Sequence, residues 1–116
     1  MRYLHNPRCS KSREALALLQ ARGIEPELLD YLRQPLDAKA LRALIAKLGM
    51  TPRELLRPGE AVYRELGLDD ASLDDEALIK AMVEHPILIE RPIFENGDRA
   101  VIGRPPERVL ELLQAV

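Results

Sequence analysis

Residues 2–32, which read RYLHNPRCSKSREALALLQARGIEPELLDYL, carry the clearest signals for the fold. Arg2 to Leu4 predicts a short strand that is ended by His5-Asn6-Pro7. From Ser10 to Arg22, apolar residues recur at helical spacing. Glu27 to Leu32 predicts a second strand. Because parallel strands need a crossover helix of about this length, the opening is expected to be a β-α-β unit.

The middle of the chain is predicted to be helical. Asp37 is a suitable cap for a helix that runs to Leu48, and Thr51-Pro52 can start a second helix. Leu73 to Glu84 predicts a third helix, which ends before Pro86. We therefore expect a helical insertion at about residues 36–85.

The last third returns to strands. Ile87 to Ile89 and Ile93 to Glu95 are short apolar strand candidates, and Asn96-Gly97 is a strong hairpin signal before a strand at Ala100 to Ile102. Glu107 to Val116 carries an apolar stripe at helical spacing. The expected fold class is α/β, with a mixed sheet and the order β-α-β, helices, β-β-α.

Composition narrows the class of protein. The chain has 116 residues, is 47% hydrophobic and 31% charged, and carries 17 Lys and Arg against 19 Asp and Glu. One folded domain over residues 1–116 is expected, and the net charge of -2 argues against nucleic acid as a direct partner. The apolar stretches are too short to cross a membrane, so we expect a cytoplasmic protein.

Cys9 is the first candidate for chemistry. It lies where the loop meets the predicted helix, and unpaired backbone N–H groups and the helix dipole favour an anion there. Arg8, Lys11 and Arg13 add positive charge, and a cysteine in such a setting can have a pKa of roughly 3.5–7.5 instead of about 8.5. The alternative is that Cys9 is a small buried apolar residue, as many lone cysteines are.

Ser12 stands where a C-x-x-C motif would have its second cysteine. A single cysteine cannot close an internal disulfide, so any disulfide at Cys9 must involve another molecule. The pattern favours a monothiol route, in which an external thiol clears an adduct or mixed disulfide from Cys9. Glutathione is the natural candidate for that thiol.

His5 and Asn6 flank the same loop. As an imidazolium, His5 could raise the thiolate fraction of Cys9, and Asn6 could donate a hydrogen bond to the sulfur. A loop-closing role for both is an equal alternative. No metal site is expected, because His5, Cys9 and His85 do not have the spacing of a structural zinc site.

Three arginines are candidates for binding an anion: Arg57, Arg91 and Arg104. Each lies beside a proline or at the end of a predicted element, and several planar guanidinium groups together suit a tetrahedral oxyanion. Taken singly, each is better explained as a solvated surface residue. The bond between Arg91 and Pro92 is a candidate for a cis peptide that places backbone groups beside the thiol, although a trans proline is more common.

Four separated motifs then resemble one family: His5-Asn6-Pro7-Arg8-Cys9, Leu56-Arg57, His85-Pro86-Ile87-Leu88-Ile89-Glu90-Arg91-Pro92-Ile93 and Ile102-Gly103-Arg104-Pro105-Pro106-Glu107. Their order and spacing are similar to those of the glutaredoxin-linked arsenate reductases of bacteria, the ArsC family. The resemblance covers nearly the whole chain.

The resemblance implies a thioredoxin-like fold with a helical insertion. It further implies that Cys9 is the nucleophile, that His5 assists the thiolate, that Pro92 is cis, and that Arg57, Arg91 and Arg104 bind the oxyanion. The implied reaction is the reduction of arsenate to arsenite through a Cys9 adduct, with glutathione as co-substrate and glutaredoxin as electron donor. It needs no metal or bound cofactor.

Two other functions occur on the same fold. One is that of the Spx-type regulators, which bind RNA polymerase. The absence of a second cysteine at Ser12 and the presence of Arg104 argue against it. The other is a glutathione-dependent thiol reductase that uses Cys9 but does not act on arsenate.

Overall fold

The computed structural model describes residues 1–113, which fall into two compact units, one formed by residues 1–34 with the chain from residue 91 onward and the other by residues 35–90. Within the described residues none of the helices is long and apolar enough to cross a membrane. The strands are β1 (Arg2–Leu4), β2 (Glu27–Leu29), β3 (Ile93–Asn96) and β4 (Arg99–Ile102). The helices are α1 (Ser10–Ala21), α2 (Ala38–Leu48), α3 (Pro52–Leu55), α4 (Ala61–Glu65) and α5 (Asp75–Glu84), with 3-10 helices at Pro86–Leu88 and Pro106–Leu113.

The first unit contains a four-stranded mixed sheet in the order β2-β1-β3-β4. Strands β1 and β2 are parallel and are joined through α1, with Tyr3 paired to Leu28. Strand β3 runs antiparallel to both β1 and β4. The mixed sheet and its β-α-β opening are as the sequence predicts.

The core of the first unit forms where α1 and the C-terminal 3-10 helix pack on the sheet. Apolar side chains from every layer meet there, because each element keeps its apolar residues on one face. The buried cluster consists of Tyr3, Ala15, Leu19, Phe94, Val101, Val109 and Leu112. An ion pair supports the sheet beside it, since Nε of Arg2 in β1 lies 2.6 Å from Oε1 of the buried Glu95 in β3.

Strand β2 is shorter than predicted. It ends at Leu29, not at Leu32, because the chain turns at Asp30, whose backbone carbonyl accepts hydrogen bonds from the N–H groups of Arg33 and Gln34 at 3.1 and 2.9 Å. The apolar residues Tyr31 and Leu32, which follow Asp30, hide this turn in the sequence.

The hairpin and the terminal helix also differ in detail from the prediction. Asn96 pairs with Arg99, so the two-residue turn is Gly97-Asp98, with Gly97 at a φ of 65°. The terminal helix is a 3-10 helix, and its buried residues lie three apart, the period that aligns side chains in this helix type: Pro106, Val109 and Leu112. Residues 114–116 of the predicted helix lie outside the described part.

The second unit is helical, as predicted, and α5 packs against α2, α3 and the 3-10 helix at residues 86–88. Asp37 accepts a hydrogen bond from the N–H of Ala40, so it caps α2. Thr51 and Glu54 form a capping box at the start of α3. Helix α4 has no counterpart in the prediction, and α5 begins two residues after Leu73, with Asp74 as its cap.

The strand predicted at Ile87 to Ile89 was wrong. Pro86 occupies the first position of a 3-10 helix, where its missing N–H costs nothing and its fixed φ is compatible with helix. The N–H of Leu88 donates to the carbonyl of His85, and Ile89 alone forms a bridge, to Leu56. A short apolar run does not distinguish a buried strand from a helical turn.

We predict that Gly103→Ala destabilises the protein by about 1–3 kcal/mol, because the added methyl group overpacks the core. An ideal Cβ at Gly103 would lie 2.9 Å from Cγ of Pro92, 3.0 Å from Cγ1 of Val109 and 3.3 Å from Cβ of Ala15. Urea unfolding followed by circular dichroism measures the effect. Gly59→Ala is the matched control, since a Cβ there meets no described atom within 4 Å. Equal losses of unfolding free energy in the two variants would contradict the prediction.

Candidate active site

Cys9 lies at the N-cap position of α1, with extended backbone angles of φ -92° and ψ 122°. Its N–H donates to the carbonyl of Asn6 at 2.9 Å, and its own carbonyl accepts the N–H of Arg13 at 3.1 Å. The residue is 9% exposed. The loop between β1 and α1 therefore holds the sulfur in a fixed place at the positive end of the helix.

Two arginines from the far end of the sequence act on this sulfur. Nη2 of Arg104 lies 3.7 Å from Sγ of Cys9, within range of an N–H···S hydrogen bond. Arg91 donates a hydrogen bond to the thiol as well. Both guanidinium groups are partly buried, so solvent screens their charges less than it would on an open surface.

The pKa of the Cys9 thiol results from opposing effects. Burial raises it, but the hydrogen bond and positive charge of Arg91, together with the backbone N–H groups of Ser12 and Lys11, lower it, and the net result is a pKa below the ordinary value. The Cys9 side chain forms no capping hydrogen bond of normal length, so these N–H groups act on the thiolate over a longer distance. The thiolate fraction of Cys9 is therefore larger than burial alone would allow.

The loop that carries Arg91 and the strand end that carries Arg104 are tied together. Nε of Arg104 donates to the carbonyl of Arg91 at 2.7 Å, and the N–H of Gly103 donates to the carbonyl of Pro92 at 2.9 Å. The Arg91–Pro92 peptide bond is cis, as the resemblance implies, and Arg104–Pro105 is a second cis bond that was not predicted. These contacts orient the Arg104 fork toward the sulfur.

Ser12 is a site residue whose role the sequence reasoning missed. Its side chain is fully buried, its Oγ accepts the N–H of Asn6 at 3.0 Å and shares a hydrogen bond of 2.7 Å with Nδ1 of His5, and its carbonyl accepts the hydroxyl of Tyr3 at 2.5 Å. The available signal was its place three residues after Cys9, on the helix face that carries the apolar Ala15 and Leu19.

His5 and Asn6 contribute mainly to the shape of the loop. Burial lowers the pKa of His5 below its ordinary value; the nearby Asp30 opposes this shift and Arg13 adds to it, so the imidazole is neutral at pH 7. Oδ1 of Asn6 accepts the N–H of Arg8 at 3.1 Å. These contacts fit the loop-closing alternative, and a direct action of either side chain on the sulfur stays a prediction.

Arg57 belongs to the second unit. There its Nη1 lies 2.6 Å from Oε1 of Glu90, and its Nε lies 3.8 Å from Oε2 of Glu60. Its N–H donates to the carbonyl of Leu88 at 2.8 Å, which fixes the backbone at this point. The role of Arg57 in binding an oxyanion stays a prediction, and the site described here consists of residues of the first unit.

The group formed by Cys9, Arg91 and Arg104 has a definite chemical capacity. A thiolate beside two planar, permanently charged forks can attack the centre of a tetrahedral oxyanion, since the forks neutralise the charge that would otherwise repel it. Within residues 1–113 the structure contains no cluster of three or more side chains of the types that commonly ligate metals.

We predict that Arg91→Ala moves the midpoint of Cys9 alkylation to higher pH. Alkylation follows the thiolate fraction, and loss of the hydrogen bond and charge from Arg91 raises the pKa of the thiol. The rate of iodoacetamide reaction between pH 5 and 10 gives this midpoint, and Arg91→Lys should shift it less. Arg99→Ala, at an exposed arginine of β4, is the control. An unchanged midpoint in the Arg91→Ala variant would show that Arg91 does not lower the pKa of Cys9.

We predict that Ser12→Ala lowers the free energy of unfolding by about 1–3 kcal/mol, because the buried N–H of Asn6 loses its acceptor. Ser10→Ala is the matched control, two positions earlier on the same helix and exposed. Urea titration of both variants measures the difference. A loss in Ser12→Ala no larger than that in Ser10→Ala would show that the hydroxyl does not support the loop.

Comparison with known proteins agrees with this fold. The chain is 57% identical over 110 residues to the uncharacterized protein YfgD of Escherichia coli K12, covering 94% of this chain and 92% of that protein. It is 49% identical over 110 residues to an arsenate reductase of Haemophilus influenzae, covering 94% and 95% of the two chains. The structure of an arsenate reductase from Vibrio cholerae superimposes with a TM-score of 0.91 at 48% identity over 96% of this chain and 97% of the other, so the mixed α/β fold is thioredoxin-like. The model of the ArsC family matches residues 4–112, and the chain belongs to the ArsC family.

Proposed function

We propose that this protein reduces arsenate to arsenite in the cytoplasm, with Cys9 as the nucleophile and with glutathione and glutaredoxin as the external reductants. The observation that carries the proposal is the position of Cys9 Sγ, 3.7 Å from Nη2 of Arg104 and hydrogen-bonded to Arg91. Relatives that bear the name arsenate reductase support the choice of oxyanion.

In the first step the thiolate attacks arsenic, a sulfur–arsenic bond forms, and one oxygen leaves as water after protonation. Arg91 and Arg104 offset the negative charge of the incoming anion and stabilise the charge that develops on its oxygens. The arsenic is still arsenic(V) at this stage, so the enzyme has provided binding and activation but no electrons.

The electrons come from two further thiols. Glutathione attacks the adduct, a second oxygen leaves as water, and arsenic then bridges the sulfurs of Cys9 and glutathione. The glutaredoxin thiol attacks the glutathione sulfur to form a mixed disulfide, and the electron pair of the broken glutathione–arsenic bond stays on arsenic. Water then cleaves the Cys9–arsenic bond, which releases arsenite and the free Cys9 thiol. Overall, two thiols lose two protons and two electrons to become a disulfide, arsenic(V) becomes arsenic(III), and one oxygen of arsenate ends as water.

The lack of a second thiol supports the need for external reductants. Ser12 stands at the position of a resolving cysteine, is fully buried, and has its hydroxyl engaged by Asn6 and His5. The chain contains one cysteine, so no internal disulfide can release the adduct. A reducing compartment that supplies glutathione suits this chemistry.

The central prediction concerns turnover in a coupled assay that follows NADPH oxidation with arsenate, glutathione, glutathione reductase and glutaredoxin. Cys9→Ser should abolish turnover, because a serine hydroxyl is a far poorer nucleophile at neutral pH. Arg104→Ala should reduce kcat/KM for arsenate by about 30- to 900-fold, which corresponds to roughly 2–4 kcal/mol, if Arg104 acts as a typical oxyanion-stabilising donor. Arg99→Ala should leave kcat/KM unchanged.

Further measurements on the wild-type protein distinguish the two alternative functions. A wild-type protein that captures RNA polymerase and does not turn over arsenate would support a regulator of the Spx type. A protein that reduces glutathionylated substrates, while arsenate neither protects Cys9 from alkylation nor supports turnover, would be a glutathione-dependent thiol reductase. Either result would refute the proposed function.

A further inference from the structure

A cavity of about 420 Å³ opens next to the Cys9 loop, in the first unit. It lies where the parallel strands β1 and β2 end, since Leu4 pairs with Leu29 and the N–H of His5 then donates to the carbonyl of Leu29 at 3.0 Å. The loop after β1 forms one wall and the turn after β2 forms the other. The lining residues are Asn6, Pro7, Arg8, Asp30, Leu32 and Arg33.

The charges of this cavity form a specific pattern. Arg8 and Arg33 provide two exposed guanidinium groups, one on each wall, and Asp30 provides a carboxylate. Nε of Arg33 lies 3.6 Å from Oδ2 of Asp30, and the Asp30 side chain remains 40% exposed. Pro7 and Leu32 add apolar surface. The cavity therefore suits a small, extended molecule with two carboxylates, one ammonium group and a short apolar segment.

The cavity and the thiol share one loop. Arg8 immediately precedes Cys9, and the hydrogen bond from the N–H of Cys9 to the carbonyl of Asn6 closes the turn that connects them. The residues that line one wall of the cavity therefore belong to the same loop as the nucleophile, and Arg8 is its direct neighbour in sequence. None of the arginines already placed beside the sulfur lines this cavity.

We propose that this cavity binds glutathione, with Arg8 and Arg33 receiving its two carboxylates and Asp30 its ammonium group. Glutathione is a thiol tripeptide whose carboxylates lie at its two ends and whose cysteine lies between them, so the two walls can hold the ends while the thiol faces Cys9. The proposal rests on the proposed use of glutathione as reductant, and it assigns that use to a cavity distinct from the arginines beside the sulfur.

The test uses thiol–disulfide exchange and needs no arsenate. The Cys9 thiolate attacks a sulfur of oxidised glutathione, a Cys9–glutathione disulfide forms, and one glutathione thiolate leaves. Intact-mass spectrometry measures the rate at a series of concentrations. Bis(2-hydroxyethyl) disulfide is the second probe, because it undergoes the same exchange but carries neither carboxylates nor ammonium groups.

We expect saturable modification of the wild type by oxidised glutathione. Arg33→Glu reverses one exposed charge and should raise the half-saturating concentration by about threefold or more, as loss of a solvent-exposed ion pair implies. The same variant should react with bis(2-hydroxyethyl) disulfide at the wild-type rate. Arg99→Glu, an equal charge change on exposed β4, should react like the wild type with both probes.

Equal effects of Arg33→Glu on the two probes, or no effect on either, would overturn the binding site. The outcome is independent of arsenate turnover. Charge-dependent exchange in a protein that does not reduce arsenate would keep the cavity and refute the proposed function. Turnover of arsenate by a protein whose exchange rates do not depend on Arg33 would support the proposed function and refute the binding site.

Discussion

The active site depends on the groups that hold the pKa of a buried thiol below its ordinary value. Burial alone would raise the pKa of Cys9 and leave a neutral, unreactive thiol. The hydrogen bond and charge of Arg91, with the N–H groups at the start of α1, more than offset that effect. Arg104, 3.7 Å from the sulfur, adds a second permanent positive charge. The fold of the first unit holds these groups in place around the sulfur.

The backbone near Gly103 holds Arg91 and Arg104 in place. The N–H of Gly103 donates to the carbonyl of Pro92, and Arg104 donates to the carbonyl of Arg91, so the two arginines are held by one pair of adjoining segments. The side-chain atoms of Ala15 and Val109 approach Gly103 so closely that a methyl group would not fit without displacement. The backbone position of Gly103 therefore affects both the packing of the core and the placement of the guanidinium groups.

Ser12 affects both the shape of the loop that carries Cys9 and the number of thiols in the site. Its hydroxyl holds the N–H of Asn6 and contacts His5, which fixes the loop on which Cys9 lies. A second thiol at this buried position would have to displace those contacts. The site thus has one nucleophile on a rigid loop, and its neighbouring cavity offers charges that suit an external thiol carrying two carboxylates. We propose that the oxyanion and the reductant bind to different sets of arginines.

Features with local signals could be predicted from the sequence. The caps at Asp37 and Thr51 and the helical period of α1 depend on contacts within a few residues, so pattern and capping rules were enough for them. The motif order also sufficed to identify the ArsC family. The folded structure was needed to show that Arg104 meets Cys9 across 95 positions of sequence and that Ser12 is buried under the loop. These two features result from strand pairing and core packing between distant segments, and no spacing along the chain encodes the distance between two such side chains.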